Sequence, residues 1–128
     1  MRVLLDTQAF LWWRTDHALL STEARQLLNS QANEIVFSVA SAWELAIKAA
    51  LNKLDVQDGL IENLESEIGR EGFSVLTVQI THAVRAASLP VHHKDPFDRM
   101  LAAQAQAENL YIVSNDRIFD LYGVRRLW

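Results

Sequence analysis

Isolated acids fall where an alternating α/β chain would gather ligands. Asp6 closes the aliphatic run Val3-Leu4-Leu5 and has no basic residue in the following seven positions. A carboxylate at the end of a buried strand is costly unless something pairs with it or coordinates it. Asp116 follows a second apolar run, Leu110 to Val113. Asp95 and Asp98 open a late helix, and Glu44 lies one turn into the helix after the run Ile35-Val36-Phe37. If the strands are parallel neighbours, these positions share the carboxyl end of one sheet, where open α/β sheets bind ligands. Clustered carboxylates stay ionised together when cations sit among them. Oxygen donors with no cysteine suit a hard ion, Mg²⁺ or Mn²⁺. Such an ion polarises a phosphate ester and lowers the pKa of an attacking water.

Most of these residues also have a plainer reading. N-capping accounts for Asp95, ahead of a Pro at the first helical position. Asp98 stands three residues on, where a capping-box acid belongs. Glu44 and Lys48 are spaced i,i+4, as in an ordinary surface pair worth about 0.3 kcal/mol. Asp116 suits a turn or a short-helix cap. Asp6 alone lacks a local partner. The adjacent His92 and His93 lack the i,i+4 spacing of a zinc pair and read as an exposed loop, with phosphate or substrate contact left open. His17 and His82 carry no signal. Trp12 and Trp13 read as core or interface. Ser21, Ser38 and Ser41 have no nucleophile-elbow context.

Strands are expected at Val3 to Leu5, Glu34 to Ser38, Phe73 to Leu76 and Leu110 to Ser114, with an edge strand at Val124 to Leu127. Helices are expected at Ala9 to Arg14, from Ser21 with Ala24, Leu27 and Leu28 buried, and at Ser41 to Leu51 with Trp43, Ala46, Ile47, Ala50 and Leu51 at helical spacing. Further helices start at Asp58-Gly59, burying Leu60, Ile61, Leu64 and Ile68, and run from Thr81 to Ser88 and from Asp95 to about Glu108. A short turn or helix leads to Leu121. This alternation predicts an α/β sandwich with a mostly parallel central sheet.

At 128 residues the chain is expected to be a single domain, 1–128, burying roughly two-thirds of its unfolded surface. Half the residues are hydrophobic and 22% are charged, an ordinary globular profile. The absence of cysteine excludes disulfides and thiolate metal sites and fits a cytoplasmic location. No run approaches the roughly 20 apolar residues of a membrane span, and the N-terminus lacks a secretory layout. The net charge of −4 argues against a uniformly basic nucleic-acid binder. Setting four acids around cations, however, leaves twelve acids against twelve bases.

Four segments together resemble the PIN-domain nucleases, in the branch of VapC-type toxins of bacterial toxin–antitoxin pairs. They are Leu4-Leu5-Asp6-Thr7-Gln8-Ala9-Phe10-Leu11-Trp12, Ser41-Ala42-Trp43-Glu44-Leu45-Ala46-Ile47-Lys48, Asp95-Pro96-Phe97-Asp98-Arg99-Met100-Leu101-Ala102-Ala103-Gln104-Ala105 and Ser114-Asn115-Asp116. The resemblance runs along the whole chain, in order. It implies a three-layer α/β/α sandwich and metal-dependent cleavage of RNA with Mg²⁺ or Mn²⁺, leaving a 5′-phosphate and a 3′-hydroxyl. It also implies a homodimer and a small antitoxin that blocks the site. The family's acids match Asp6, Glu44, Asp98 and Asp116, with Asp95 as an extra acid that caps the helix and orients Asp98. Gln8 departs from the His or Asn common in relatives. Arg14, Lys48, Lys94, Arg99 and Arg117 are the basic residues nearest these segments.

The expected mechanism holds one or two ions mainly on Asp6, Asp98 and Asp116, with Glu44 coordinating directly or through water and Ser114 holding either Asp6 or a metal-bound water. Two rivals remain. A phosphoacceptor domain wants an acidic pair at strand one and an acid after a middle strand, which Phe73 to Thr77 does not supply. A non-catalytic binding module would use the acids only as caps.

Overall fold

The computed structural model describes residues 1–54 and 59–128. Five strands form one sheet: β1 (Arg2–Leu5), β2 (Glu34–Ser38), β3 (Ser74–Leu76), β4 (Tyr111–Val113) and β5 (Arg126–Leu127), in the order β3-β2-β1-β4-β5. Every neighbouring pair is parallel, with Leu4 opposite Val36 on one side and Ile112 on the other. Parallel strands require crossovers, and six helices supply most of them: α1 (Thr7–Arg14), α2 (Thr22–Asn29), α3 (Val39–Ala50), α4 (Leu64–Arg70), α5 (Ile80–Ser88) and α6 (Pro96–Glu108). A 3₁₀ helix, Arg117–Tyr122, joins β4 to β5.

The alternation of side chains along a strand makes the layers. Val3 and Leu5, Ile35 and Phe37, and Val113 pack with Ala9 and Phe10 of α1, Ala24 and Leu28 of α2, and Leu64 and Ile68 of α4. Leu4, Val36 and Ile112 face the other way, onto Leu101, Ala102 and Ala105 of α6 and onto Phe119 of the 3₁₀ helix. The alanines of α6 let it lie close to the sheet, and α5 packs against it. The result is the expected three-layer α/β/α sandwich. The inner strands β2, β1 and β4 are covered on both faces, which is why Ile35 to Phe37, Val3 to Leu5 and Ile112 to Val113 are all apolar.

Three local readings change. The helix expected from Asp58-Gly59 begins only at Leu64; Asp58 lies outside the described residues, and residues 59–63 are turns. Leu60, 1% exposed, reaches the core from that turn. Gly59 takes φ +76, and Asn63 donates to its carbonyl. The second change is the rotation of α3. Its inner face is Ala40, Ser41, Glu44 and Leu45, whereas Trp43 is 64% exposed and meets Phe97 edge-on. The third is the last strand, which is confined to Arg126–Leu127. The expected caps at Ser21 and Asp95 both form: Ser21 accepts from the Ala24 N–H, and Asp95 from Phe97 and Asp98.

Candidate active site

The strand order reverses direction of winding at β1. From there the chain proceeds outward through β2 and β3, then returns to add β4 and β5 on the opposite side. Helices leaving β1 and β4 therefore diverge, and a crevice opens at the carboxyl ends of these two strands. Asp6 leaves β1 and Asp116 follows β4, so the topology alone brings residues 110 positions apart to one place.

The cleft there, about 180 Å³, is lined by Asp6, Glu44, Asp98 and Asp116, together with Asp95 and Lys48. All four acids expected at the site share it. Each has one oxygen held by a different part of the chain. Asp6 sits at the N-cap position of α1 but makes no capping bond; instead the Ser114 hydroxyl donates to its Oδ2 at 2.7 Å. Ser114 in turn accepts from the Asp116 N–H at 3.0 Å. Asp116 Oδ1 accepts from the Ile118 N–H at 3.0 Å, capping the 3₁₀ helix as its plainer reading anticipates. The Glu44 Oε2 takes a bond from Lys48 Nζ at 2.6 Å, so the i,i+4 pair forms as well, yet Glu44 is only 4% exposed. Asp98 lies one turn into α6, and its Oδ2 stands 2.8 Å from His93 Nε2.

Glu44 also carries the most telling atom of the site. Its Oε1 is buried with no hydrogen-bond partner among the described residues. A charged oxygen left so would cost several kcal/mol on ordinary desolvation grounds, about 1–3 kcal/mol even for a neutral group. Thr7, 6% exposed, donates to Ser41 Oγ at 2.9 Å and fixes α1 against α3, holding Glu44 over the cleft.

The electrostatics agree. Burial pushes the Asp6 carboxyl up from 3.8 to about 7; the Ser114 hydrogen bond opposes this, and the nearby Asp98 and Glu44 charges add to it. Asp98 is pushed up to about 6, first by burial and then by Asp95, with the His93 contact opposing the rise. Both shifts come first from burial, and the charges of neighbouring carboxylates add to them. A divalent cation would offset the repulsion, give the unpartnered Glu44 oxygen a partner and favour the charged forms of Asp6 and Asp98. The donor set of the four acids, all oxygen, fits a hard ion.

The structure sorts the basic residues. Arg14 is bound in a bidentate pair with Glu67, and Arg99 donates to the carbonyls of Ala86, Ala87, Leu89, Pro90 and His93. Lys94 and Arg117 are exposed, and Lys48 lines the cleft with its side chain 44% exposed.

His93 is the residue that pattern reading of the sequence passes over. Ligand atoms of His93, Asp98 and Asp116 lie within 4.8 Å of one another, whereas Asp6 and Glu44 line the same cleft outside that tight group. His92, in contrast, is exposed and packs edge-on against Tyr122. The available signal was the closeness of His93 to the Asp95-Pro96 helix start, which folds the preceding loop back over the first turn.

A PIN domain model matches residues 3–124. Ribonuclease VapC22 of Mycobacterium tuberculosis is 29% identical over 118 residues, covering 90% of this chain and 87% of the relative. Among solved structures, FitAcB from Neisseria gonorrhoeae aligns with a TM-score of 0.73 at 21% identity, over 98% of this chain and 96% of that one. A toxin–antitoxin complex from Klebsiella pneumoniae aligns with a TM-score of 0.62 at 16% identity, over 90% of this chain and 87% of that one. At such identities the structural likeness speaks for the fold, and the family match, spanning nearly every residue, carries the assignment: the chain belongs to the PIN domain family.

Proposed function

We propose that this chain is a divalent-metal-dependent endoribonuclease, acting as a single domain and as the toxin of a type II toxin–antitoxin pair. The observation that carries the metal is the buried, unpartnered Glu44 Oε1 in a cleft where Asp6 and Asp98 are pushed toward protonation. The RNA substrate draws support from the similarity to Ribonuclease VapC22, and the antitoxin partner from the fold shared with the Klebsiella complex. The same reading includes a homodimer in the cytoplasm. Trp43, Val39, Val75 and Val78 supply exposed apolar surface for a second copy.

Asp6, Asp98 and Asp116 would hold Mg²⁺ or Mn²⁺, with Glu44 bound directly or through water. The bound ion supplies Lewis-acid polarisation of the phosphodiester and a more acidic water. Ser114 and the Ile118 N–H keep two of the carboxylates aimed into the cleft. Lys48 is placed to meet a phosphate oxygen at the cleft wall. Water adds to phosphorus, the bond to the 3′ oxygen breaks, and that oxygen leaves as a hydroxyl beside a 5′-phosphate.

The test is incubation of purified protein with structured RNAs in Mg²⁺, in Mn²⁺ and in EDTA, beside Asp116→Ala. Cleavage should require the ion and Asp116, and induced wild-type protein should arrest bacterial growth where Asp116→Ala does not. Cleavage that persists in EDTA or in the variant would overturn the site; growth unaffected by wild type would remove the toxin role.

A further inference from the structure

His93 is held from three sides before it reaches Asp98. Its backbone N–H donates to the Tyr122 hydroxyl at 2.9 Å, and its carbonyl accepts from Arg99 at 3.3 Å. Its ring Nδ1 faces the Asp95 N–H at 3.5 Å. An N–H facing Nδ1 and an acceptor carboxylate facing Nε2 both suit the tautomer with the ring proton on Nε2. Nε2 is then a donor, and its acceptor is Asp98 Oδ2 at 2.8 Å. In this tautomer the imidazole has no lone pair to offer an ion at that position, although it stands within reach of one.

We propose that His93 is a positioning residue for Asp98: its Nε2–H pins one carboxylate oxygen so that the other is free to face the cleft, where Asp98 and Asp116 would hold an ion. Ser114 holds Asp6 in a like manner, again through a donor to Oδ2. The two metal-facing acids at the strand and helix ends are thus each aimed by a neighbour from another segment. Asp95 contributes at one remove, since the same side chain caps α6 while its N–H fixes the His93 ring. This role rests on the metal-site reading above.

The probe is Mn²⁺ alone, titrated calorimetrically into wild type, His93→Leu and His93→Gln, with thermal midpoints taken in EDTA. Loss of an outer-shell donor typically weakens metal binding about 10- to 100-fold, and His93→Leu should fall in that range. His93→Gln keeps an N–H donor and should recover most of the loss. The midpoints in EDTA should stay close to wild type in both, because Tyr122 and Arg99 continue to hold the loop backbone. Wild-type binding with His93→Leu equally tight would overturn the inference and leave the metal site intact. A Gln variant as weak as Leu, with nitrogen coupling in the Mn²⁺ pulsed-EPR spectrum of wild type, would make the imidazole a ligand and overturn it equally. Absence of Mn²⁺ binding in wild type would remove the metal-site reading itself.

Discussion

Asp6→Asn should make the metal-free protein more stable at neutral pH while abolishing its response to divalent ions. The folded carboxyl titrates at about 7 against 3.8 for the free group, chiefly because it is buried. An acid with a raised folded pKa holds its proton in the folded state through that window, so folding stability falls as pH rises from about 4 to about 7. Each unit corresponds to about 1.4 kcal/mol, so the shift represents a stability change on the order of 2–4 kcal/mol. Asn has the same shape, carries no charge and keeps an oxygen to accept the Ser114 hydroxyl. A gain of about 2 kcal/mol raises the melting midpoint of a domain this size by about 5–10 °C. The assay is thermal unfolding in EDTA near pH 4 and pH 7.5, repeated in millimolar Mn²⁺. Wild type and variant should converge at the acidic end and diverge at the neutral end. Mn²⁺ should raise only the wild-type midpoint, and more so at the higher pH. An Asn variant less stable than wild type at pH 7.5, or an equal gap at both pH values, would refute the argument that ionised Asp6 is the strained group.

Lys48→Met should raise KM for RNA severalfold and reduce the salt dependence of binding by about one counter-ion, with little change in kcat, because Lys48 meets the cleft from its wall. Binding isotherms over a salt series would measure this, and an unchanged slope would take Lys48 out of the RNA surface. Arg99→Lys should lower the melting midpoint with and without Mn²⁺, since one ammonium cannot replace a guanidinium that serves five carbonyls from Ala86 to His93. The expected loss is about 2–3 kcal/mol, read by urea unfolding; a variant as stable as wild type but weak in RNA binding would make Arg99 a substrate contact instead.

The layers and the four acids were legible because each rests on a local signal: a short aliphatic run, a cap before a helix, an acid at an element end. Asp6 stood out in the sequence for lacking a neighbour, and the structure supplies one from 108 positions away in Ser114. What stayed hidden depends on juxtaposition rather than periodicity. The stripe of Trp43, Ile47 and Ala50 predicts an apolar inner face for α3, but the inner face is Ser41 and Glu44, because Ser41 meets Thr7 and Glu44 meets the cleft. Leu60 enters the core without a helix to carry it. Gln104, fully buried among alanines, reads as helix filler until Ser38 is found donating to its Oε1 at 2.5 Å, with its Nε2 donating to the Thr77 carbonyl at 3.3 Å. No window of one sequence contains those three residues.

The four acids can be compared by what secures them. Asp116 relies on a backbone N–H, Asp6 on a buried hydroxyl, Glu44 on a half-exposed lysine of its own helix, and Asp98 on a loop imidazole. The first two partners follow β4 directly, Ser114 at the strand's end and Ile118 in the 3₁₀ helix, so Asp6 and Asp116 are secured by the segment that leaves the sheet there. The other two partners are more open to solvent, at 44% for Lys48 and 30% for His93. Lys48 engages Glu44 Oε2 and leaves Oε1 without a partner, so the pair and an ion would use different oxygens of the same carboxylate. The rigid half of the site thus belongs to the strand ends, and the adaptable half to α3 and the loop entering α6. Substitutions in the first half should act on the presence of the ion, and those in the second on how tightly ion and RNA are held together.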